Sequence, residues 1–325
     1  MRIEPVDVEA VSEAELTAWH VAWTAVHHAD GEPGPPAGGR EFRGRLRHDD
    51  WTDERPQWWL AKHDDAPVGW LHLAYPRADN RHAAICGVGV VPTLRRRGMG
   101  RQLAAIAADH ARAAGRRVLI GECSDATPGP AFCTAVGAES GVRSVRRLLH
   151  LDRIEPGRHD LLLTAAWDRA AGYSLLRWSG PAPDALVAEV AAIETSMNDA
   201  PMDDLDYGDE RWSVARLHRV EQNAVDTGLR LYQVAVRHDA TDELAGLTRV
   251  AVAEENPTWA QQWDTVVVPA RRGHRLGLVL KLEMLRWLHD AEPVLTTVET
   301  DNAGSNRYMV AVNEAIGFEP ADSLT

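Results

Sequence analysis

Cysteine is scarce in this 325-residue chain, which holds only Cys86, Cys123 and Cys133. Three cysteines make no paired disulfide framework, and their spacing matches no metal knuckle, so no metal site is expected. Cys86 and Cys123 sit in strand-like runs and are expected as reduced core residues of a cytoplasmic protein. The chain has no apolar run of membrane-spanning length. Its opening, MRIEPVDVEAVSEAEL, carries acids where a secretory leader would carry basic and then apolar residues. Cations are in the minority, with 35 Lys and Arg against 48 Asp and Glu and a net charge of −13. General nucleic-acid binding is therefore not expected, nor is a membrane partner. An acidic balance suits a small cationic substrate.

What the chain does have is a repeat. Pro92 and Pro269 lie 177 positions apart, as do Gly100 and Gly277, and both halves run through the same order of elements around these anchors. The first half reads as a strand at MRIEPV, a helix over 13–27 and a Gly/Pro-rich break at DGEPGPPAGG. Strands then follow at WWLAKH, VGWLHLAY and AAICGVGVVP, with a helix over 100–114 and a strand at RVLIGECS. The second half repeats this with GYSLLRWSG, the helix PDALVAEVAAIETS, the hairpin-like RLYQVAVRH and ELAGLTRVAVAE, then WDTVVVP, a helix through His289 and VLTTVETDN. The polar stretch 152–160 places a boundary between domains 1–155 and 156–325. The expected fold class is α+β in αβα layers, each domain a mixed, mostly antiparallel sheet flanked by helices.

Between strand and helix each half carries a basic, glycine-containing turn. A helix N-terminus presents unpaired N–H groups and partial positive charge, which suits phosphate. Glycine lets that backbone approach an anion, and arginine adds forked donors. In the first half Arg95, Arg96, Arg97, Gly98, Met99, Gly100 and Arg101 form this turn behind Val90 and Val91. The second has Arg272, Gly273, His274, Arg275 and Gly277 behind Val267 and Val268. Arg275 stands where the first half has Gly98, and its Cβ would crowd a phosphate unless φ there is negative. A nucleoside-triphosphate loop is excluded because no Gly-Lys-Ser/Thr follows. Gly87-Val88-Gly89 lacks the third glycine of a dinucleotide fingerprint.

A strand ending in Val-Pro, then Arg-x-x-Gly-x-Gly and an apolar helix, resembles the acyl-CoA site of the GNAT superfamily of N-acetyltransferases. The doubled plan resembles the tandem GNAT proteins of actinobacteria, mycothiol synthase among them. The resemblance implies two fused GNAT domains and acetyl-CoA as acyl-donor cosubstrate. Turn amides would hold the pyrophosphate, and a splayed strand would pair with the pantetheine arm. NRYMVAVNEAIGF, from Asn306 to Phe318, is similar to the family's last helix, and Asn306 joins the cofactor-binding set. The family tyrosine that protonates the leaving thiolate falls on Asn313 here and on Cys133 in the first half. Ala126 occupies the place of the first half's asparagine.

Acyl transfer to an amine needs a base, an oxyanion donor and a good leaving group. Strand N–H groups near Val91 or Val267 are candidate oxyanion donors. Asp264 and Glu299 are candidate bases, with Glu122 and His82 as first-half counterparts, and Asn313 completes the catalytic set. The acidic stretch 196–210 holds Asp199, Asp203, Asp204, Asp206, Asp209 and Glu210. Beside it are Met202, Tyr207 and Trp212, so it reads either as a wall that attracts an amine or as a solvated loop. Trp51, Trp58 and Trp59, three of twelve tryptophans, are expected in packing. The leading function is transfer of an acyl group to a primary amine of a small cationic acceptor, by a monomeric pseudo-dimer or a homodimer. The alternative is an inactive acyl-CoA-binding or sensor protein. Turn chemistry favours the first half for CoA; the acidic loop and intact last helix favour the second for catalysis.

Overall fold

The computed structural model describes residues 1–48, 55–199 and 201–325, so Trp51 lies outside the described residues. The chain forms two compact units. One comprises Met1–Val142, Asp204–Asp209 and Ser323–Thr325; the other comprises Arg143–Asp203 and Glu210–Asp322.

In the first unit the elements run β1 (Arg2–Val6), α1 (Glu13–Asp30), α2 (Gly39–Arg47), β2 (Gln57–His63), β3 (Ala66–Ala74) and β4 (Ala83–Val90). α3 (Met99–Ala113), β5 (Val118–Ile120) and α4 (Gly129–Val136) complete it. The sheet order is β1-β2-β3-β4-β5, antiparallel except where β4 meets β5. α1 is stopped at both ends by local chemistry. Ser12 accepts the Glu15 N–H, and Gly31 at φ 64° closes the C-terminus. Trp19, Trp58 and Trp70 are buried with Phe42, and Trp59 packs in the neighbouring cluster, so these tryptophans serve packing. α2, GREFRGRLR, escapes a sequence reading because its apolar stripe is only Phe42 and Leu46. β5 is shorter than the expected RVLIGECS strand.

The second unit runs β6 (Ser144–His150), α5 (Arg158–Trp167), β7 (Tyr173–Ser179), α6 (Val187–Thr195), α7 (Val214–Asp226), β8 (Leu229–His238) and β9 (Glu243–Ala253). β10 (Trp259–Val267), α8 (Leu276–Ala291), β11 (Thr297–Ala303), α9 (Arg307–Ile316) and β12 (Glu319–Leu324) follow. The order β12-β6-β11-β10-β9-β8-β7 puts β6, which comes early in the chain, between two of the last strands. β6 pairs with β11 along seven residues, from Ser144 opposite Ala303 to His150 opposite Thr297.

The repeat persists in the packing. α3 buries Met99, Leu103, Ala107 and Ala111, and α8 buries Leu276, Leu280, Met284 and Leu288, each 177 positions on. This four-residue spacing is the stripe a helix lays on a sheet. β3 and β9 carry the same one-residue irregularity, at Val68 and at Ala245. Gly69 and Gly246 follow it; a Cβ there would lie 2.9 Å from the Gly89 carbonyl or 2.7 Å from the Val266 carbonyl. Both glycines let the next strand come closer than any side chain would permit.

Candidate active site

Each turn begins with a 3₁₀ segment, Pro92–Leu94 or Pro269–Arg271, and ends at a helix start. Two positions in each turn are left-handed: Arg96 (φ 62°) and Gly98 (φ 84°) in the first, Gly273 (φ 90°) and Arg275 (φ 58°) in the second. Arginine and glycine have exchanged places while the backbone path is kept. The condition set for Arg275, a negative φ, is not met. Its side chain tolerates the left-handed well, a strain of roughly 1–2 kcal/mol. A Cβ at the corresponding Gly98 would meet nothing within 4 Å, so the substitution leaves the turn's path intact. Arg275→Gly is expected to stabilise the second unit by about 1 kcal/mol in thermal or denaturant unfolding.

The leading arginines act inside the fold. Arg95 Nε donates to the Val90 carbonyl at 2.9 Å, and its two terminal nitrogens hold the Asp30 carboxylate at 2.6 and 3.0 Å. Arg272 Nε donates to the Val267 carbonyl at 3.1 Å and Nη2 to Asp199 at 2.8 Å. Each arginine ties the end of its strand to a carboxylate at the end of a preceding helical segment. The N–H groups of Met99 and Gly100 in α3, and of Leu276 and Gly277 in α8, precede the first bonds of their helices, which run from Gln102 to the Gly98 carbonyl and from Leu278 and Val279 to the Arg275 carbonyl. Arg96, Arg97 and Arg101 lie exposed around the first of these ends, and His274 around the second. Met99 is buried in the core.

Behind the turns both sheets open. β4 pairs with β5 only over Ala83–Ile85, and β10 with β11 only over Trp259–Gln261. Beyond these residues one edge of each strand has left its parallel neighbour. The N–H of Val91 donates to the Val68 carbonyl and that of Val268 to the Ala245 carbonyl. Both are therefore committed to the sheet, which narrows the candidate donors near Val91 and Val267 to residues facing the other edge. Successive residues of a strand face opposite edges, which leaves Val90 and Val267 as the ones facing the gap.

One difference separates the two openings. β4 runs in unbroken register against β3. β10 shifts register against β9 between Gln262 and Thr265, with one residue more than its partner strand. Such a bulge bends the strand and re-aims a side chain. Here Thr248 underpins it: its hydroxyl meets Thr265 Oγ1 at 2.7 Å and the Asp264 carbonyl at 3.4 Å, and accepts from Gln262 Nε2 at 2.9 Å. At the positions matching Asp264, Thr248 and Arg249, the first unit has Gly87, Leu71 and His72.

The two candidate bases of the second unit differ in what holds them. Glu299 is buried, accepts from Trp259 Nε1 at 2.9 Å and pairs with Arg146 Nε at 3.1 Å. Asp264 sits on the bulge with its side chain 37% exposed, and Arg249 Nη2 holds its Oδ2 at 3.0 Å. Of the first-half counterparts, Glu122 is exposed, whereas His82 Nε2 meets the Asp206 carbonyl at 2.9 Å and its carboxylate at 3.2 Å.

A family model, the acetyltransferase (GNAT) family, matches residues 23–127. A tandem GNAT protein from the clavulanic acid biosynthesis pathway superposes with a TM-score of 0.82 at 30% identity, covering 99% of this chain and 96% of that one. The chain belongs to the GNAT acetyltransferase family. A GCN5-related N-acetyltransferase from Sphaerobacter thermophilus shares the fold at 14% identity and a TM-score of 0.69, over 99% of this chain and 93% of that one. A GNAT-family acetyltransferase from Colwellia psychrerythraea does so at 13% and 0.55, over 100% and 98%. No curated protein matches significantly.

In this GNAT acyltransferase the residues at the family's tyrosine position are engaged internally. Asn313 is fully buried; it accepts from Lys281 Nζ at 2.8 Å and donates to Asn302 Oδ1 at 2.5 Å. In the first unit Cys133 Sγ lies 3.8 Å from Cys123 Sγ, and burial pushes the Cys123 thiol up to about 12. Asn306 is the N-cap of α9, accepting the Met309 N–H at 3.2 Å. Gly277 has open space where a Cβ would be, whereas Gly100 would place one 3.1 Å from the Phe132 ring.

The acidic stretch is divided. Asp204–Asp209 belongs to the first unit, where Asp206 pairs with His82 and Gly208 with Asn80. In the second unit Asp199 meets Arg272, Asp203 accepts from Ser305 at 2.9 Å, and Glu210 pairs with Arg216 at 3.0 Å. Arg216 in turn stacks 4.4 Å from the Trp212 ring. The sequence reading missed Glu194, Arg249 and Lys281. Their signal was one or two charges inside an otherwise mostly apolar run, in VAEVAAIET, LTRVAVA and LVLKLEML.

Proposed function

We propose that this enzyme transfers an acetyl group from acetyl-CoA to a primary amine of a small cationic acceptor, and that the second unit does the chemistry. The observation that carries this reading is the bulge of β10, which presents Asp264 at an open strand edge, where β4 has an unbroken strand and Gly87. Acetyl-CoA, when bound, supplies the activated thioester. The chain fits it: a helix N-terminus, open space at Gly273 and Gly277, and a strand with one free edge. Arg272, Gly273, His274, Gly277 and the α8 amides would hold the pyrophosphate end, with Val267 and Val268 lining the arm. The first turn, with Arg95–Arg101, Val90 and Val91, would hold CoA in the same way. The N–H of Val267 faces the gap and would donate to the developing oxyanion.

Asp264 would orient the acceptor ammonium and take its proton. The carboxylate is exposed enough to touch substrate, and Arg249 fixes its direction. Glu299, held by Trp259 and Arg146, orders the strand pairing beside it. Asn313 gives the leaving thiolate no proton, because both ends of its amide are occupied; solvent would supply that proton. By plan the chain stands with tandem GNAT proteins of the actinobacterial type, and the absent tyrosine sets it apart from mycothiol synthase. A second reading, an acyl-CoA-binding sensor without turnover, is favoured by Asn313 and Cys133 alone. Thiol release from acetyl-CoA across a panel of primary amines separates the two. Turnover is expected, with Asp264→Asn lowering kcat by about 10²–10⁴-fold at unchanged folding. Acetyl-CoA binding with no turnover on any amine would establish the sensor instead.

A further inference from the structure

Below Asp264 the second unit buries an unbalanced charge. Glu194 of α6 and Asp264 of β10 both converge on one nitrogen, Arg249 Nη2, at 2.9 and 3.0 Å. Arg249 and Glu194 are about 2% and 1% exposed. Glu194 Oε1 and Arg249 Nε and Nη1 are sealed from solvent with no hydrogen-bond partner among the described residues. Two carboxylates share one guanidinium, and Glu221 of α7, also fully buried, adds to the negative field. Glu221 itself accepts from the Ala182 N–H and Gln233 Nε2. Of the other acids near α6, Asp199 belongs to Arg272, and Glu189 accepts from the Leu244 N–H and Arg237. A buried cluster with one cation too few either holds a proton or attracts a cation.

We propose that Glu194, Arg249 and Asp264 form a proton-linked ammonium subsite: a primary ammonium docks on the exposed side of Asp264, and Glu194 gives up its proton to solvent as it does so. This rests on the reading of Asp264 as the acceptor-facing carboxylate. Among Glu194, Arg249, Asp264 and the ligand the charges balance in both states, with Glu221 held apart by the Ala182 N–H and Gln233. Without ligand, Arg249 is matched by Asp264 and Glu194 is a neutral carboxyl. With ligand, two cations face two carboxylates, and the ion released is the Glu194 proton. Burial pushes Glu194 up to about 8, with Asp264 and Glu221 adding to the rise and Arg249 opposing it. The exchange therefore falls near neutral pH. The three groups divide the work: Asp264 touches the ligand, Arg249 transmits its charge, and Glu194 stores the proton.

The test needs no knowledge of the natural acceptor. The full chain is labelled with glutamate carrying ¹³C at the side-chain carboxyl, and the Glu194 resonance is identified by its loss in Glu194→Gln. Its titration is followed with and without n-butylammonium, and with tetramethylammonium, which has no N–H to donate. The expected result is a midpoint well above the ordinary carboxylate range that n-butylammonium lowers by about one unit, and tetramethylammonium does not. By reciprocity the probe binds about tenfold more tightly when Glu194 is ionised. In Asp264→Asn, which keeps the Glu194 resonance, the probe should have no effect. A midpoint indifferent to n-butylammonium in a protein that acetylates amines overturns the subsite and leaves the proposed function standing. Coupling in a protein that acetylates no amine would do the reverse.

Discussion

Replacing Lys281 with methionine is expected to stabilise the protein in mild acid and destabilise it in alkali. Lys281 is 1% exposed on α8, and loss of hydration lowers its ammonium to about 7. In the unfolded chain the same group titrates at about 10.4. Between these values the unfolded state binds the extra proton, so the native chain gains stability as pH rises from about 7 to 10. Below about 7 it carries the full cost of a buried charge, on the order of 4 kcal/mol. Methionine removes that cost. It also removes the donor to Asn313 Oδ1, and an orphaned buried acceptor costs about 1–3 kcal/mol. The first effect wins below neutrality and the second near pH 10, where a neutral lysine still donates. Urea unfolding of Lys281→Met and wild type across this range should give curves that cross. Parallel curves would show that Lys281 keeps an ordinary affinity for its proton.

Arg249→Met is expected to be the most damaging single change in the second unit. It leaves the Glu194 and Asp264 carboxylates together with no buried cation, and removing one partner of a buried pair costs about 3–5 kcal/mol. Because Glu194 takes a proton, the loss should be largest above its titration near 8 and smaller in mild acid. Glu194's folded affinity for its proton is raised. Its contribution is therefore fully present below the value of an unfolded glutamate, about 4.3, and is lost as pH rises through about 8. Arg249→Met/Glu194→Met, which removes the cation and the buried acid together, should recover most of the loss. A double-mutant cycle in thermal unfolding measures the coupling. Additive single effects would mean that the two side chains do not share their charge.

Much of the fold follows from periodicity and turn chemistry. Alternation in VGWLHLAY and the four-residue stripe of LGLVLKLEMLRWL leave little freedom, since burying one face requires a single register. The doubled Val-Pro strand end and the basic, glycine-containing segment after it likewise mark both turns, because only a few residue types suit a tight turn into a helix start. Less legible were α2, whose arginines mask a narrow stripe, and β6, whose partners β11 and β12 lie about 150 or more positions away in sequence.

The sequence by itself determined that this is a duplicated strand–turn–helix protein, and it placed both turns to the residue. Local rules suffice there, because glycine, proline and apolar spacing act within a few residues. Tertiary structure distinguished the two openings. One residue of excess in β10 relative to β9 is invisible until the strands are laid side by side, and Asp264 sits on that bulge with Arg249 against it. Arg275 looked like damage in the sequence. In the structure it sits in the same left-handed well as Gly98, with Gly273 and Arg96 making the opposite exchange. The charge of Glu194 and Lys281 was likewise unreadable from composition, because burial and neighbours set a proton's affinity and only the packed fold supplies them.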